Sequence, residues 1–347
     1  MRYSKRNWRI IMPELSMPNK YKTILDIMHT DIAINEIKNH FEEGISNALN
    51  LIKVSAPIIL NEGNGINDNL NGVDRILTFE ALDIKNKQIE VVQSLAKWKR
   101  ITLSRYGLAC DEGIYTNMNA IRRDEKLDHL HSLFVDQWDW EKVITKEQRN
   151  VDTLKSEVKK IYRAIKSTER YMFEFHHLLK PVLPDDIHFI TTQELEDLYP
   201  NLTSKERENV AANKYGAIFI MKIGGELQSG EKHDGRSPDY DDWDLNGDIV
   251  LWNPLLECAF EVSSMGIRVD EKSLLKQLRL SKNENRKVLD YHKAILEGKL
   301  PYSIGGGIGQ SRLCMFLLKK AHIGEVQVSV WNDQILKDCE KRNIILL

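Results

Sequence analysis

Cysteine is scarce in this chain. The four present, Cys110, Cys258, Cys314 and Cys339, stand far apart and form no Cys-x-x-Cys pair. That spacing argues against a disulfide framework and a thiolate zinc site, and suits a reducing, cytoplasmic compartment. Long apolar runs are missing too. None approaches the ~18 residues that suggest a membrane span. Residues 1–20 mix Arg, Lys, Trp and Pro without a continuous apolar core. Residues 1–24 are therefore expected to be a loose extension and not a secretory signal. There is no excess of positive charge: 49 Lys and Arg oppose 51 Asp and Glu, for a net charge of −2. That balance argues against a surface that coats nucleic acid. No Gly-x-x-x-x-Gly-Lys-Ser/Thr occurs, and the spacing Gly-x-Gly-x-x-Gly is broken by Gln310. Internal repeats and low-complexity linkers are also absent, so residues 25–347 are expected to fold as a single domain.

What is present centres on Ile304-Gly305-Gly306-Gly307-Ile308-Gly309-Gln310-Ser311-Arg312. It reads as a glycine-lined strand that opens a helix at Arg312. Such glycine-rich junctions are common turns. They also let something lie flat against the backbone where a Cβ would collide. Arginine beside such a floor can stack on a planar ring or pair with phosphate. An adenine site is the functional alternative to the plain turn.

Upstream, residues 30–51 carry Ile32, Ile37, Phe41, Ile45 and Leu49 at helical spacing, with Thr30 or Asp31 as cap. Residues 51–60 read as one strand interrupted by Pro57, which requires an edge, a bulge or a strand end. Residues 61–72 form a polar loop holding Glu62 and Asp68. Turn chemistry explains it, and an acidic grip for an ammonium group is the alternative. Residues 89–95 read as a strand leading to a short basic helix, which carries Trp98 and offers Lys99 to a carboxylate.

Residues 114–125 and 132–141 read as two antiparallel strands. Alternation places Phe134, Asp136, Trp138 and Trp140 on one face and Val135, Gln137, Asp139 and Glu141 on the other. A strand face of Gln, Asp and Glu is costly to bury without partners, so it is wet or a site. Arg122, at the end of the first strand, can reach it. A long helix spans 151–179 and is stopped by Pro181 and Pro184. Shorter strands and helices follow to residue 223. The acidic run 239–244 is expected to be a solvated turn. Another antiparallel pair, 245–252 and 256–269, brings Asp248 and Glu261 opposite each other, an arrangement that asks for a cation such as magnesium. A charged helix is expected over 271–298. Irregular alternation of strand pairs and helices, with no repeated βαβ unit, predicts an α+β fold built on a mainly antiparallel sheet flanked by helices.

Three features then fall in order: a helix running into the Pro57 strand, a strand–loop–strand with Arg122 and Glu125, and a glycine strand ending in Arg312. This order resembles the three-motif signature of class II aminoacyl-tRNA synthetases. The match is closer to one family of that superfamily, the ammonia-dependent asparagine synthetases or aspartate–ammonia ligases. It rests on Asp68-Asn69-Leu70-Asn71-Gly72, Ser94-Leu95-Ala96-Lys97-Trp98-Lys99-Arg100, Val135-Asp136-Gln137-Trp138-Asp139-Trp140-Glu141, Pro238-Asp239-Tyr240-Asp241-Asp242-Trp243, Asn246-Gly247-Asp248-Ile249, Ser263-Ser264-Met265-Gly266-Ile267-Arg268 and the glycine strand itself.

The resemblance implies a class II synthetase-like core and amidation of L-aspartate by free ammonia. ATP and Mg2+ would take part, β-aspartyl-AMP would be the intermediate, and the enzyme would be a homodimer. It implies that Asp68 and Lys99 hold the α-ammonium and α-carboxylate of aspartate. Ser94, Gln137, Asp139, Ser263 and Arg268 would complete that site. ATP would meet Arg122 at its α-phosphate, Arg312 over adenine, and Asp241, Glu261, Ser264, Gly307 and Gly309 around them. Asp248 and Glu261 would hold magnesium. Asp68 is the favoured proton acceptor in the ammonia step, with the acids of 239–242 as alternatives. No cysteine follows the initiator (residue 2 is Arg) and no spare amidotransferase domain is expected, so free ammonia is the expected donor. A tRNA synthetase would need an anticodon-binding domain that the short extension is not expected to supply. A non-catalytic sensor of aspartate or AMP is the second alternative.

Overall fold

The computed structural model describes residues 17–18, 21–63, 65–67, 70 and 74–347. Helix α1 (Ile27–Leu49) buries Ile34, Ile37, Phe41, Ile45 and Leu49 along one stripe. Its cap is Asp26, which accepts from the His29 N–H. The expected caps lie inside the helix, where the Thr30 hydroxyl bonds back to the Asp26 carbonyl. Asn50 ends the helix with φ 56°. The single strand expected through Pro57 is two strands, β1 (Leu51–Lys53) and β2 (Ile59–Asn61), in different sheets. Proline has no N–H to give to a ladder, and the chain changes sheets around it. Strands β3 (Thr78–Ala81) and β4 (Ile84–Val91) complete a small sheet in the order β2-β4-β3. The strand expected over 89–95 therefore ends at Val91.

Helix α2 (Ala96–Tyr106) precedes the hairpin of β5 (Gly113–Ile121) and β6 (Phe134–Val143). Helix α3 (Val151–Phe175) follows, with its Leu154, Val158, Ile161, Ile165 and Met172 buried. Then come β7 (His188–Thr191), α4 (Thr192–Leu198), α5 (Ser204–Tyr215) and β8 (Ala217–Met221). The second long pair is β9 (Asp241–Asn253) and β10 (Cys258–Arg268). The helix expected over 271–298 is two, α6 (Glu271–Leu280) and α7 (Asp290–Leu296), with a 3-10 turn between them. Strand β11 (Ser303–Gly309) runs directly into α8 (Gln310–Leu317), and α9 (Asp333–Lys341) closes the chain. Arg312 thus lies in the first turn of α8, three residues beyond the strand.

The eight strands of the main sheet run in the order β1-β5-β6-β11-β10-β9-β8-β7. Pairing is antiparallel within and parallel at both edges, β1 with β5 and β7 with β8. The fold is α+β, a mainly antiparallel sheet flanked by helices. Trp138 and Trp140 of β6 are wholly buried in one core with Phe41 of α1 and Ile161 of α3. The rings of Phe41 and Trp138 lie 4.7 Å apart. Because strand side chains alternate, Gln137, Asp139 and Glu141 must leave by the opposite face. The apolar packing of α1 and α3 thereby aims the polar face of β6.

Near the carboxyl end, buried His322 accepts the Gly324 N–H at Nδ1, 2.9 Å away. Burial, with His129 nearby, pushes its pKa down to about 4. The unfolded chain takes up this proton near pH 6.5 and the folded chain only near 4, so stability should fall as pH drops through that window and level off below it. The loss should reach up to about 3 kcal/mol. Urea unfolding of His322→Asn, which keeps an acceptor but cannot titrate, should lack that part of the acid slope. An unchanged slope would assign it to other groups.

Candidate active site

The pairing of β6 with β11 sets Glu141 opposite Gly305, Asp139 opposite Gly307 and Gln137 opposite Gly309. Arg268, the last residue of β10, lies one strand further on. It reaches across Gly305 to grip Glu141, with Nε at 2.9 Å and Nη2 at 2.7 Å, while Nη1 pairs with Asp241. A Cβ at Gly305 would strike the Glu141 carboxylate and come 2.7 Å from Arg268 Nη2, and one at Gly307 would strike Gln137 and come 2.8 Å from Asp139. The side chains lying against the glycine strand at these two positions are thus the protein's own. Lys99 of α2 donates to the Gly306 carbonyl at 2.8 Å and pairs with Asp139 at 3.1 Å. Burial holds its pKa below the ordinary value, although the Asp139 carboxylate opposes this. Burial would raise Glu141, but the Arg268 guanidinium outweighs it and holds the carboxyl below its ordinary value. Lys99 and Arg268 thus meet three acids, Asp139, Glu141 and Asp241. Two positive charges against three negative ones leave this layer one short, which favours a cationic guest.

Two chambers open on this layer. The first, about 450 Å³, is lined by Ser94, Lys99, Asp139, Tyr240, Asp241 and Arg268 among others. The second, about 250 Å³, is lined by His131, Asp136, Ser263, Gly309, Ser311 and Arg312 among others. Arg122, Glu125, Gln137, Glu261, Ser264 and Gly307 border both. A group reaching from one chamber to the other must pass these six. Arg312 donates to the Glu261 carbonyl at 3.0 Å, which fixes its guanidinium at the rim of the second chamber. Asp68 lies outside the described residues. Leu70 and Asp74 from the same loop line the first chamber.

Asp248 and Glu261 are not directly opposed. Asp248 pairs in register with Ser264 and Glu261 with Val250. A bulge between Glu261 and Ser263 shifts the register by one residue, which carries Glu261 to the side of Asp248. Glu261 borders both chambers, whereas Asp248 lies behind it and pairs with Arg236. Burial pushes Asp248 up to about 7; Arg236 opposes this and the charge of Glu261 adds to it. Glu261 is held low because Arg312 and Arg236 outweigh its own burial.

The acidic run is not a solvated turn. Asp239, Asp241 and Asp242 are buried, and β9 begins at Asp241 because that residue pairs in register with Arg268. Asp239 meets Lys97 at 3.1 Å, His292 at 3.0 Å and Arg286 at 2.9 Å. Its carboxyl is held far below the usual range: burial opposes ionisation, and Lys97 and His292 overcome it. Only Asp244 of the run is exposed. Sequence reasoning also passed over Arg236 and Tyr240, which line the first chamber. The one signal for them was their place beside the acids they accompany.

Residues 28–343 match the family model described as aspartate-ammonia ligase. The chain belongs to the aspartate–ammonia ligase family. It is 57% identical over 333 residues to the aspartate–ammonia ligase of Clostridium tetani, covering 96% of this chain and 98% of that one. With the enzyme of Fusobacterium nucleatum it is 57% identical over 327 residues, 94% and 99% of the two chains. Among solved structures it is similar to the asparaginyl-tRNA synthetase of Pyrococcus horikoshii complexed with asparaginyl-adenylate. That likeness has a TM-score of 0.63 at 16% identity and covers 86% of this chain and 68% of the other. The asparaginyl-tRNA synthetase of Entamoeba histolytica gives 0.62 at 12%, covering 87% and 67%. At such identities the likeness concerns the fold. It places this ligase family on the class II synthetase architecture.

Glu141→Gln would leave Arg268 with one buried anion in place of two. The variant should unfold with a stability lower by about 3–5 kcal/mol. Guanidinium denaturation measures it. A loss below about 1 kcal/mol would mean that the pair is not desolvated as its burial indicates.

Proposed function

We propose that the chain amidates L-aspartate with free ammonia, using ATP and releasing AMP and pyrophosphate through β-aspartyl-AMP. The observation that carries this is the pair of chambers joined at Arg122, Gln137, Glu261 and Gly307. The first has the surplus negative charge to take an α-ammonium, and Lys99 to take an α-carboxylate. The second has an arginine at its rim, Arg312, suited to cover an adenine. The β-carboxylate of aspartate and the α-phosphate of ATP then meet at the shared wall.

Activation joins two anions. A carboxylate oxygen forms a bond to the α-phosphorus as the bond from that phosphorus to the bridging oxygen of pyrophosphate breaks. Arg122 is placed to bind the equatorial oxygens as charge accumulates on them. Gln137, on the wall beside it, orients the acyl group. Ammonia then adds to the acyl carbon, and AMP leaves with the electron pair of the C–O bond. The adduct carries N–H groups far more acidic than ammonium, so a carboxylate is a competent acceptor. Asp68 is assigned that role, together with the α-ammonium of aspartate. Ser94, Asp139 and Arg268 shape the amino-acid chamber, Ser263 and Ser264 offer hydroxyls at the junction, and Asp241 and Gly309 complete the site. Asp248, buried, and Glu261, half-buried and brought to the same side of the strand pair, form a donor set that suits Mg2+, with Glu261 nearer the chambers and Asp248 behind it. When bound, Mg2+ would screen the triphosphate and stabilise the departing pyrophosphate. A homodimer belongs to the same proposal, supported by Ile27, Met28 and Ile32 exposed on α1 and Ile52 exposed on β1. Light scattering of the purified chain at twice the monomer mass would bear it out, and monomer mass would refute it.

Asparagine and stoichiometric AMP should form from aspartate, ATP, Mg2+ and ammonium, and not when glutamine is the only nitrogen source. Turnover only with added tRNA would move the protein to the synthetase alternative, and nucleotide binding without turnover would make it a sensor. Arg122→Lys, which loses the forked contact, should lower the rate of aspartate-dependent pyrophosphate exchange by about 100-fold or more. An unchanged rate would remove Arg122 from the activation step.

A further inference from the structure

Arg236 is half-buried, lines the first chamber, and has no part in the chemistry assigned above. Its Nη2 pairs with Asp248, and its Nε has no partner among the described residues. Burial opposes its charge, and the carboxylate of Asp248, with those of Asp241 and more weakly Glu261, outweighs that burial. A five-donor guanidinium therefore rests on Asp248 and acts on nearby Glu261, the two carboxylates best suited to a divalent cation, and part of its fork is unused. Its attachment to the chain is also uneven. The preceding His233 is tied to Glu208 of α5 at 3.1 Å. Between them lies Gly235, whose missing side chain would meet nothing within 4 Å. An arginine one residue past a glycine follows a backbone with wide rotational freedom.

We infer that Arg236 is a built-in counter-ion that competes with the divalent cation for Asp248 and Glu261, so that metal enters this site with the nucleotide and not before it. Two neighbouring carboxylates largely withdrawn from water repel, and some positive charge must stand with them at all times. In this structure Arg236 supplies it at Asp248, and Arg312 and Arg236 together at Glu261. A divalent ion arriving alone would have to share the pair with a guanidinium, at a cost in repulsion. A triphosphate alters that balance. It brings negative charge into the adjoining chamber, where the freed guanidinium can pair with phosphate oxygens. The metal then takes the carboxylates and the arginine takes the phosphates, with no charge left uncompensated. The device would keep the carboxylates from holding stray metal and would couple metal binding to ATP binding. It rests on the assignment of Asp248 and Glu261 as metal ligands.

The test is direct binding of Mn2+ to the full chain, read by the loss of the free-ion paramagnetic resonance signal, with and without α,β-methylene-ATP. For the unaltered protein, Mn2+ alone should bind weakly and the analogue should tighten it. Without nucleotide, Arg236→Met should bind Mn2+ at least about tenfold more tightly, and adding Glu261→Gln should abolish the gain. A merely structural role for Arg236 predicts the opposite, because a damaged site binds metal less well. Equal or weaker Mn2+ binding by Arg236→Met would overturn the inference. Should that variant not fold, Arg236→Lys keeps the charge but not the fork. It should tighten Mn2+ by at least about threefold, and no tightening overturns the inference equally. Failure of the metal assignment looks different: the analogue-dependent Mn2+ binding of the unaltered protein would then survive Glu261→Gln and Asp248→Asn.

Discussion

Arg268 spans from the end of β10 across β11 to Glu141 on β6, and it does so only because the strand between them carries no side chain at Gly305. Most of the site depends on that contact. The same guanidinium holds Asp241, which starts β9, while Glu141 also accepts from Ser303 at 2.7 Å. Four strands are thereby tied together by ionised groups buried from water. Removing Arg268 would leave Glu141 and Asp241 without their shared counter-ion, so the cluster is self-enforcing. With Arg268 and Glu141 satisfied by each other, Lys99 and Asp139 are left one residue pair along, facing the cleft.

The opposite face of β6 explains why this arrangement is rigid. Trp138 and Trp140 are sealed against α1 and α3, and a strand cannot shift by one residue without exchanging those indoles for carboxylates. The register of β6 against β11 is thus fixed from behind by apolar packing and from the front by ion pairs. Few other devices place three polar side chains over a bare backbone with so little freedom. The two chambers inherit this precision, since their shared wall is built from the same strands.

Charge compensation recurs one layer further out. Asp239 is enclosed by Lys97, His292 and Arg286 drawn from α2, α7 and the turn before it. Asp242 pairs with Arg149 at 2.8 Å. These contacts lock the segment that brings Tyr240 and Asp241 to the first chamber. Asp248 and Glu261 differ: burial raises Asp248 to about 7 against its one close arginine, Arg236, and the charge of Glu261 adds to the rise. A pocket in which these two acids still act on each other is selective about where a cation should go.

The strand pairs, the polar face of β6 and the class of fold were legible because each depends on local alternation, which composition and period reveal. The glycine strand was legible as a place of close approach, and the string of motifs sufficed for the family. Residues that act through partners distant in the chain were not. Whether Asp239 and Asp241 are solvated or buried depends on cations at least 27 residues away (Arg268 is 27 from Asp241 and His292 is 53 from Asp239), and no local pattern records them. The break at Pro57 was readable, but not that it sends the chain into a second sheet. A bulge at Val262 decides which side Glu261 takes, and a bulge leaves no mark in the alternation. The sequence by itself determined the elements and the chemical types assembled at the site, because those follow from short-range propensity and residue chemistry. Only the tertiary structure decided which charge meets which, because that is set by the order and register of strands brought together from across the chain.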